Sequence, residues 1–289
     1  MEHILRPIYQ ERASNSNTLG IILLEKNKPD SPVTDNFDAI LFVVVKELES
    51  SHSIKHYQLH SGKIAALKTV DMKQLNGWLE IGSNRRVFEW ILNGKILFER
   101  NEYLTDLKQT LTDFPLNQRK KKMGLEYAKL IRRYVDGKEL FELGNLLDAY
   151  NHIVHALHHL ARLSIIDNGL HPEVTVWNQV RRIEPEVYTL YHELVESEEP
   201  LKKKLELLFL ASEFLVNKNS KIGSMHLNEI MDKKDAWSIQ ELTTHPELED
   251  YGVDLETFLE YLIDKKLIQT SLEETKGQGV YHRKYTFHC

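Results

Sequence analysis

Cysteine is nearly absent from this chain. The single thiol, Cys289, is the last residue, so no internal disulfide can form and the framework of a small secreted domain is excluded. Long apolar runs are missing too: none approaches the roughly 20 residues that a membrane helix needs. The opening Met1-Glu2-His3-Ile4-Leu5-Arg6 lacks the apolar core of a secretion signal. A cytoplasmic protein with no membrane partner is therefore expected. Nor is there an excess of positive charge. The net charge of −6 argues against a protein whose main task is to hold nucleic acid by bulk electrostatics, although a local basic patch could still do so. What is present is an ordinary globular composition, 42% hydrophobic and 28% charged, so disorder is not expected. At 289 residues the chain exceeds the usual single core, which predicts two or three domains.

The pattern changes twice along the chain, predicting domains over 1–115, 116–220 and 221–289. In the first, Thr18 to Leu24 and Ala39 to Val45 are aliphatic runs of strand length. Lys26 to Asp38 between them holds two prolines and several turn formers and reads as a loop. His56 to Leu59 and Lys63 to Val70, around Ser61-Gly62, suggest a hairpin. A run as apolar as AILFVVV is buried on both faces, which predicts a sheet covered by helices. From Tyr103 to Lys218 the pattern is helical. Leu125, Ala128, Leu130 and Ile131 share helical spacing, as do Leu146, Ala149, Ile153, Leu157 and Leu160, and Leu205, Leu208, Phe209, Ser212 and Leu215. Pro172, Pro185 and Pro200 punctuate a helical bundle. In the last region Ser238 to Glu241 is a capping box. Asp254 can cap a second helix reaching about Lys266, with Leu255, Phe258, Leu259 and Leu262 as its core face. Leu267 to Ser271 and Val280 to Phe287 then form a ribbon, completing the layout of a winged helix-turn-helix. The expected class is α+β, mostly α overall.

Nucleotidyl transfer is mostly positioning and neutralisation of phosphate charge. Two carboxylates one residue apart at a strand start can share divalent metals, and a small residue lets a triphosphate approach the backbone. Leu19-Gly20-Ile21 and Asp35-Asn36-Phe37-Asp38, followed by the strand from Ala39, resemble the signature of the polymerase-beta-like nucleotidyltransferase superfamily. That signature is an apolar residue, Gly, Gly or Ser, a loop, then Asp-apolar-Asp before an apolar strand. The resemblance covers about the first hundred residues and implies a nucleotide, and magnesium, held at Asp38 and Asp35 as the candidate catalytic carboxylates. Gly20, Arg85 and Arg86 are the candidate phosphate-binding residues, and Gly94 to Arg100 resembles the late strand of the fold. Several positions depart from the signature. Asn36 stands where the first carboxylate belongs, and Ile21 replaces the small second residue. In Lys63 to Val70 there is no third acid; Asp71 comes only at the strand's end. An amide neutralises no metal charge, so weak or absent transfer is expected. Asp35 and Asp38 also suit a plain turn role, closing the loop on their own backbone. The whole order resembles a bacterial nucleotidyltransferase-like family with a C-terminal helix-turn-helix domain.

Elsewhere, Asp148, His152, His155 and His159 fall on one helical stripe, a spacing able to hold a metal or to line a bundle face; His158 lies off it. Arg119 to Lys122 is a basic run that suits phosphate or a solvated helix start. Trp78, Trp90, Trp177 and Trp237 read as core anchors. The second helix of the winged domain presents Glu256, Glu260 and Asp264, which a phosphate-lined groove repels. Lys276, His282, Arg283 and Lys284 sit on the wing. A protein partner or homodimer is favoured over nucleic acid. Three functions stay open: a nucleotide- or partner-binding relative with little or no transferase activity, an active magnesium-dependent nucleotidyltransferase, and a regulatory nucleic-acid binder.

Overall fold

The computed structural model describes residues 1–26, 32–50 and 52–287; Cys289 and the middle of the Lys26 to Asp38 loop lie outside them. The chain divides into two compact units, one of Met1–Pro115 with His171–Thr175, the other of Leu116–Leu170 and the chain from Val176 onward. Among the described residues no helix is long and apolar enough to cross a membrane.

The first unit runs α1 (Glu2–Ser14), β1 (Thr18–Glu25), β2 (Ala39–Val45), β3 (His52–Gln58), β4 (Ile64–Asp71), α2 (Met72–Ile81), α3 (Arg85–Asn93), β5 (Lys95–Glu99) and α4 (Tyr103–Asp113). Its sheet has the order β3-β4-β2-β1-β5. Strands β2 and β4 are parallel, and the other pairs are antiparallel. All seven β2 side chains are buried, as its unbroken apolar run requires of a central strand. Ile40, Phe42 and Val44 face a cluster with Leu75, Val87, Trp90 and Leu104 from α2, α3 and α4. Leu41 and Val43 face Leu5 of α1 on the opposite side. Each such side chain contributes about 1.5–3 kcal/mol by burial. The helical pattern that begins at Tyr103 therefore opens inside this unit, because Leu104 and Leu111 of α4 complete the sheet core. Helix α1 has no counterpart among the sequence expectations. Leu5 is its one fully buried residue, and Ile8, Tyr9 and Ala13 at helical spacing from it pack against the same core.

The second unit comprises α5 (Leu116–Glu142), α6 (Leu146–Asp167), α7 (Val176–Ile183), α8 (Pro185–Glu196), α9 (Leu201–Lys218), α10 (Ser220–Met231), α11 (Ile239–Thr243), α12 (Asp254–Asp264), β6 (Ile268–Glu274) and β7 (Tyr281–Phe287). Residues placed by helical spacing on α5, α6 and α9 are buried, including Leu125, Ile131, Ile153, Leu160, Leu205 and Leu215. Trp90 and Trp237 are buried anchors, while Trp177 stacks on Tyr191 at 4.2 Å. The basic run is consumed internally. Arg119 donates to the Ile166 carbonyl at 3.0 Å, satisfying the open end of α6. Lys120 pairs with Glu229, Lys121 with Asp250 at 2.8 Å, and Lys122 is buried.

Ser238 and Glu241 make both bonds of the capping box that opens α11. Trp237 and Tyr285 exchange backbone hydrogen bonds, adding a one-residue third strand to the β6–β7 ribbon along β7. The expected cap at Asp254 is corrected: this residue is already helical, no side chain caps α12, and its carboxylate lies 3.7 Å from Arg132 of α5. Helix α10 crosses α5 closely because residue 223 is glycine; a Cβ there would lie 2.1 Å from the Tyr127 ring. His226 of α10 is buried with its Nδ1 3.0 Å from the Tyr251 hydroxyl.

Burial holds the His226 pKa below its usual value. Its neutral form therefore supports folding fully above the unfolded pKa of about 6.5, and that support is lost as pH falls through the lower native pKa. We expect the melting temperature to drop as pH falls below about 6.5. His226→Gln should lower stability at neutral pH while flattening part of that slope, as measured by circular dichroism melts from pH 5 to 8.

Candidate functional site

The loop entering β2 uses each acidic residue for a separate purpose. Asp38 is a weld between strands: its amide donates to the Ile64 carbonyl at 2.9 Å, and its carboxylate accepts the Ile64 amide at 2.9 Å. Asp35 sits at φ +54°, so the chain is not extended there and its side chain is turned across the sheet end. It meets Lys68 of β4 at 3.3 Å and Arg86 of α3 at 2.8 Å. The Lys68 ammonium also lies 4.8 Å from the centre of the Trp90 ring, and the Trp90 indole donates to the Val33 carbonyl at 2.8 Å. Asn36 is exposed, and Phe37 packs its ring 4.7 Å from that of His56. Asp71 caps α2 by accepting the Gln74 amide at 2.7 Å.

A two-metal centre needs carboxylates converging on shared cations, typically about 4 Å apart. Here the lone pairs of Asp38 meet an amide and those of Asp35 meet two cations. On β4, where the superfamily supplies an acid, Lys68 supplies an ammonium. Among the described residues no group of three or more His, Cys, Asp or Glu side chains is arranged to hold a metal. These residues do not fit magnesium.

Gly20 is not part of this locus. It lies inside β1 opposite Val44, six residues along the ladder from Asp38, or roughly 20 Å at strand rise. A Cβ there would lie 2.4 Å from Leu104 of α4, so its smallness serves packing. Arg85 and Arg86 open α3, whose cap residue Asn84 makes no side-chain bond. One turn on, Glu89 accepts the Val174 amide at 2.6 Å; burial raises its pKa, against the pull of that bond and of the two arginines. A cavity of about 420 Å³ reaches the loop at Val33 and Thr34 and is lined further by Leu24, Glu25, Asn93 and Lys95. The Thr34 hydroxyl is buried without a hydrogen-bond partner. Lys68, Glu89 and Thr34 were not among the sequence candidates. For Lys68 a signal existed: it is the one charge inside the otherwise uncharged run IAALKTV.

The histidine stripe does not converge either. His159 bonds Glu126 of α5 at 2.7 Å, and Arg162 reaches the same carboxylate at 3.2 Å. Burial alone would raise the Glu126 pKa, but His159 and Arg162 outweigh it and hold the group below its usual range. His152 lies 3.9 Å from Asp136, too far for a hydrogen bond. His155 and Asp148 are exposed. Each stripe histidine thus finds a different environment.

In the winged domain Glu256, Glu260 and Asp264 are exposed on α12, as expected. Arg283 of the wing is engaged by Glu260 through two bonds, of 2.9 and 3.2 Å, and Lys284 by Glu273 at 3.2 Å. The other flank of α12 packs on α5, with the Tyr127 ring edge-on to Phe258 and Tyr261. Two wing cations and one helix flank are therefore already committed.

Comparison with known proteins matches three successive stretches of the chain. Residues 1–119 match a nucleotidyltransferase-like family, 120–219 a YgxA-like substrate binding domain, and 225–287 a helix-turn-helix domain. The uncharacterized protein YgxA of Bacillus subtilis (strain 168) is 54% identical over 287 residues, covering 99% of this chain and 97% of its own. A crystal structure of a nucleotidyltransferase-like protein from Exiguobacterium sibiricum 255-15 superposes with a TM-score of 0.82 at 42% identity, covering 99% of both chains.

Two substitutions check the packing assignments. Gly20→Ala should cost about 1–3 kcal/mol by overpacking, and clearly less in a Leu104→Ala background; an equal cost in both backgrounds would exclude Leu104 as the reason. Glu126→Gln should cost about 2 kcal/mol by weakening a charge-assisted pair. Denaturant unfolding reads both.

Proposed function

The chain belongs to the nucleotidyltransferase-like family that includes YgxA, and from that premise we propose that it binds nucleotide phosphate without a divalent metal and has little or no transferase activity. The observation that carries this reading is the convergence of Lys68 and Arg86 on Asp35. In an active site of this kind the positive charge next to a carboxylate comes from metal ions; here it comes from side chains, which cannot bridge the attacking and leaving oxygens. Losing metal-bridging charge removes most of the rate. Binding is a lesser demand. Lys68 and Arg86 bring two cations to one carboxylate at Asp35, and the first amides of α3 add partial positive charge at an anion-binding position. The cavity at Thr34, one residue before Asp35, has Lys95 and Glu25 on its wall and an unpartnered Thr34 hydroxyl, and it offers room and polar contacts for the rest of a nucleotide.

Under this proposal the helix-turn-helix domain meets protein, as partner or second copy, and not duplex. The exposed edge of α12 is acidic, and two of the wing cations are neutralised within the domain. Exposed Leu207, Leu210 and Phe214 share one face of α9, a surface of the kind protein contacts use.

Thermal-shift titration with ATP tests the proposal. Stabilisation should persist in EDTA, reach about 1.4 kcal/mol at ten times Kd, and be lost in Lys68→Ala and Arg86→Ala. Stabilisation that requires magnesium and disappears in a stably folded Asp38→Ala variant would instead establish the metal-dependent transferase. Added duplex should give no salt-sensitive shift at low ionic strength; such a shift would favour the nucleic-acid binder.

A further inference from the structure

The histidine stripe of α6 and the cations of α5 that face it form a seam whose charge the chain leaves unbalanced. Three contacts fix the antiparallel register of the two helices. Arg119 meets the Ile166 carbonyl, Glu126 meets His159, and a Cβ at Gly137 would lie 3.0 Å from that of His152. Lys129 therefore falls beside His159, and Arg133 beside His155. On α5 the residues Arg119, Lys122, Glu126, Lys129 and Arg133 follow steps of three and four, as His152, His155, His159 and Arg162 do on α6. Each helix thus gives one stripe to the seam.

From Arg119 to Arg133 α5 carries a single acid, Glu126, and from His152 to Arg162 α6 carries none. Glu126 is engaged by His159 at 2.7 Å and by Arg162 at 3.2 Å. Asp136, one turn beyond Arg133, lies 3.9 Å from both His152 and Arg132. Among the described residues no ion pair or side-chain hydrogen bond engages Lys129 or Arg133. Elsewhere in this unit lysines find carboxylates, as Lys203 does at Glu199, Lys233 at Glu247 and Lys284 at Glu273. At the seam three fixed cations, Lys129, Arg133 and Arg162, stand against one carboxylate.

The seam is also deep. The side chains of Arg162, His159 and His152 keep only 17%, 14% and 19% of their exposure, and Lys129 and Arg133 are half-buried. Unpaired positive charge that has lost much of its water is costly, and a bound anion offsets that cost. His155 is exposed at the mouth. Burial first, and then the charges of Arg133, His159, His152 and Arg162, hold its pKa below the usual value. All four of those neighbours are bases, so the field at the mouth repels a metal ion and attracts an anion.

We propose that this seam binds a phosphate dianion, free or as the end group of a small monoester, held by Lys129 and Arg133 from α5 and by His155 and Arg162 from α6. Glu126 is a positioning residue beneath the site: by holding Arg162 and His159 it sets the donors before the ligand arrives. Lys129 and Arg133 are one turn apart, roughly 6 Å along the axis, which suits one phosphate group and not a run of them. The site is separate from the Lys68 and Arg86 locus and does not rest on the nucleotide reading.

The full chain with nitrogen-15 in its histidine rings is titrated with inorganic phosphate and with AMP near pH 7.5, at constant ionic strength. The His155 ring signal, identified by its loss in His155→Gln, should shift saturably. Affinity should fall about tenfold or more in Lys129→Gln/Arg133→Gln, with folding checked by circular dichroism, and hold in Lys68→Ala. Equal affinity for the two probes assigns the free anion, and tighter AMP binding assigns a monoester. The proposal is overturned by a shift that never saturates, by sodium chloride alone reproducing it, or by unchanged affinity in the folded double variant. Loss of the shift in Lys68→Ala would place the phosphate at the other locus and overturn it too. So would tighter, steeply salt-dependent binding of a single-stranded oligonucleotide, which would assign the seam to nucleic acid.

Discussion

The contact of Asp35 with both Lys68 and Arg86 governs what the first unit can do, because it decides which kind of positive charge stands at the mouth of the β2–β4 pair. A strand that carries an acid at this place would draw a divalent ion to the loop. Strand β4 carries Lys68 instead, anchored over the Trp90 ring, and α3 brings Arg86 to the same carboxylate. With its charge met, Asp35 has no call for a metal, and Asp38 is free to serve as a strand weld through Ile64. The rest of the locus follows: Trp90 fixes the loop at Val33, and the loop in turn shapes the cavity lined by Thr34.

The second unit applies the same economy to its charges. A basic run that suggests phosphate binding is spent on a helix end and on two ion pairs. Of the histidine stripe only His159 bonds across the α5–α6 seam, where it and Arg162 keep Glu126 ionised. Glu260 and Arg283 close the wing onto α12. A helix-turn-helix whose reading helix is flanked by α5 on one side and by its own wing on the other is built to be held in place.

Much of this was legible in the residues. AILFVVV could only be a central strand, and the 3.6-residue spacing on α5, α6 and α9 named their buried faces, because burial on one side imposes the period. The capping box at Ser238 was legible since its chemistry is local. What escaped was set by distant partners. Helix α1 has its apolar period in Leu5, Ile8, Tyr9 and Ala13, but Pro7 and the charged residues between them break the run. Gly20 looked like a phosphate-approach glycine, but its smallness answers to Leu104, more than eighty positions away. The partners of Asp35 come from β4 and α3, and only the fold brings them together; the lone charge in IAALKTV was the one trace of it. The histidine stripe was read correctly as a stripe, yet its spacing could not tell metal ligation from separate partners on the facing helix.

What occupies the Asp35 locus when nucleotide is bound decides between side-chain and metal charge. A crystal grown with ATP and manganese, measured at the manganese absorption edge, answers this directly. Phosphate oxygens within about 3 Å of Lys68 Nζ and the Arg86 guanidinium, with no anomalous peak between Asp35 and Asp38, are the predicted result. Two manganese peaks bridged by Asp35 and Asp38, with Lys68 swung away, would contradict it.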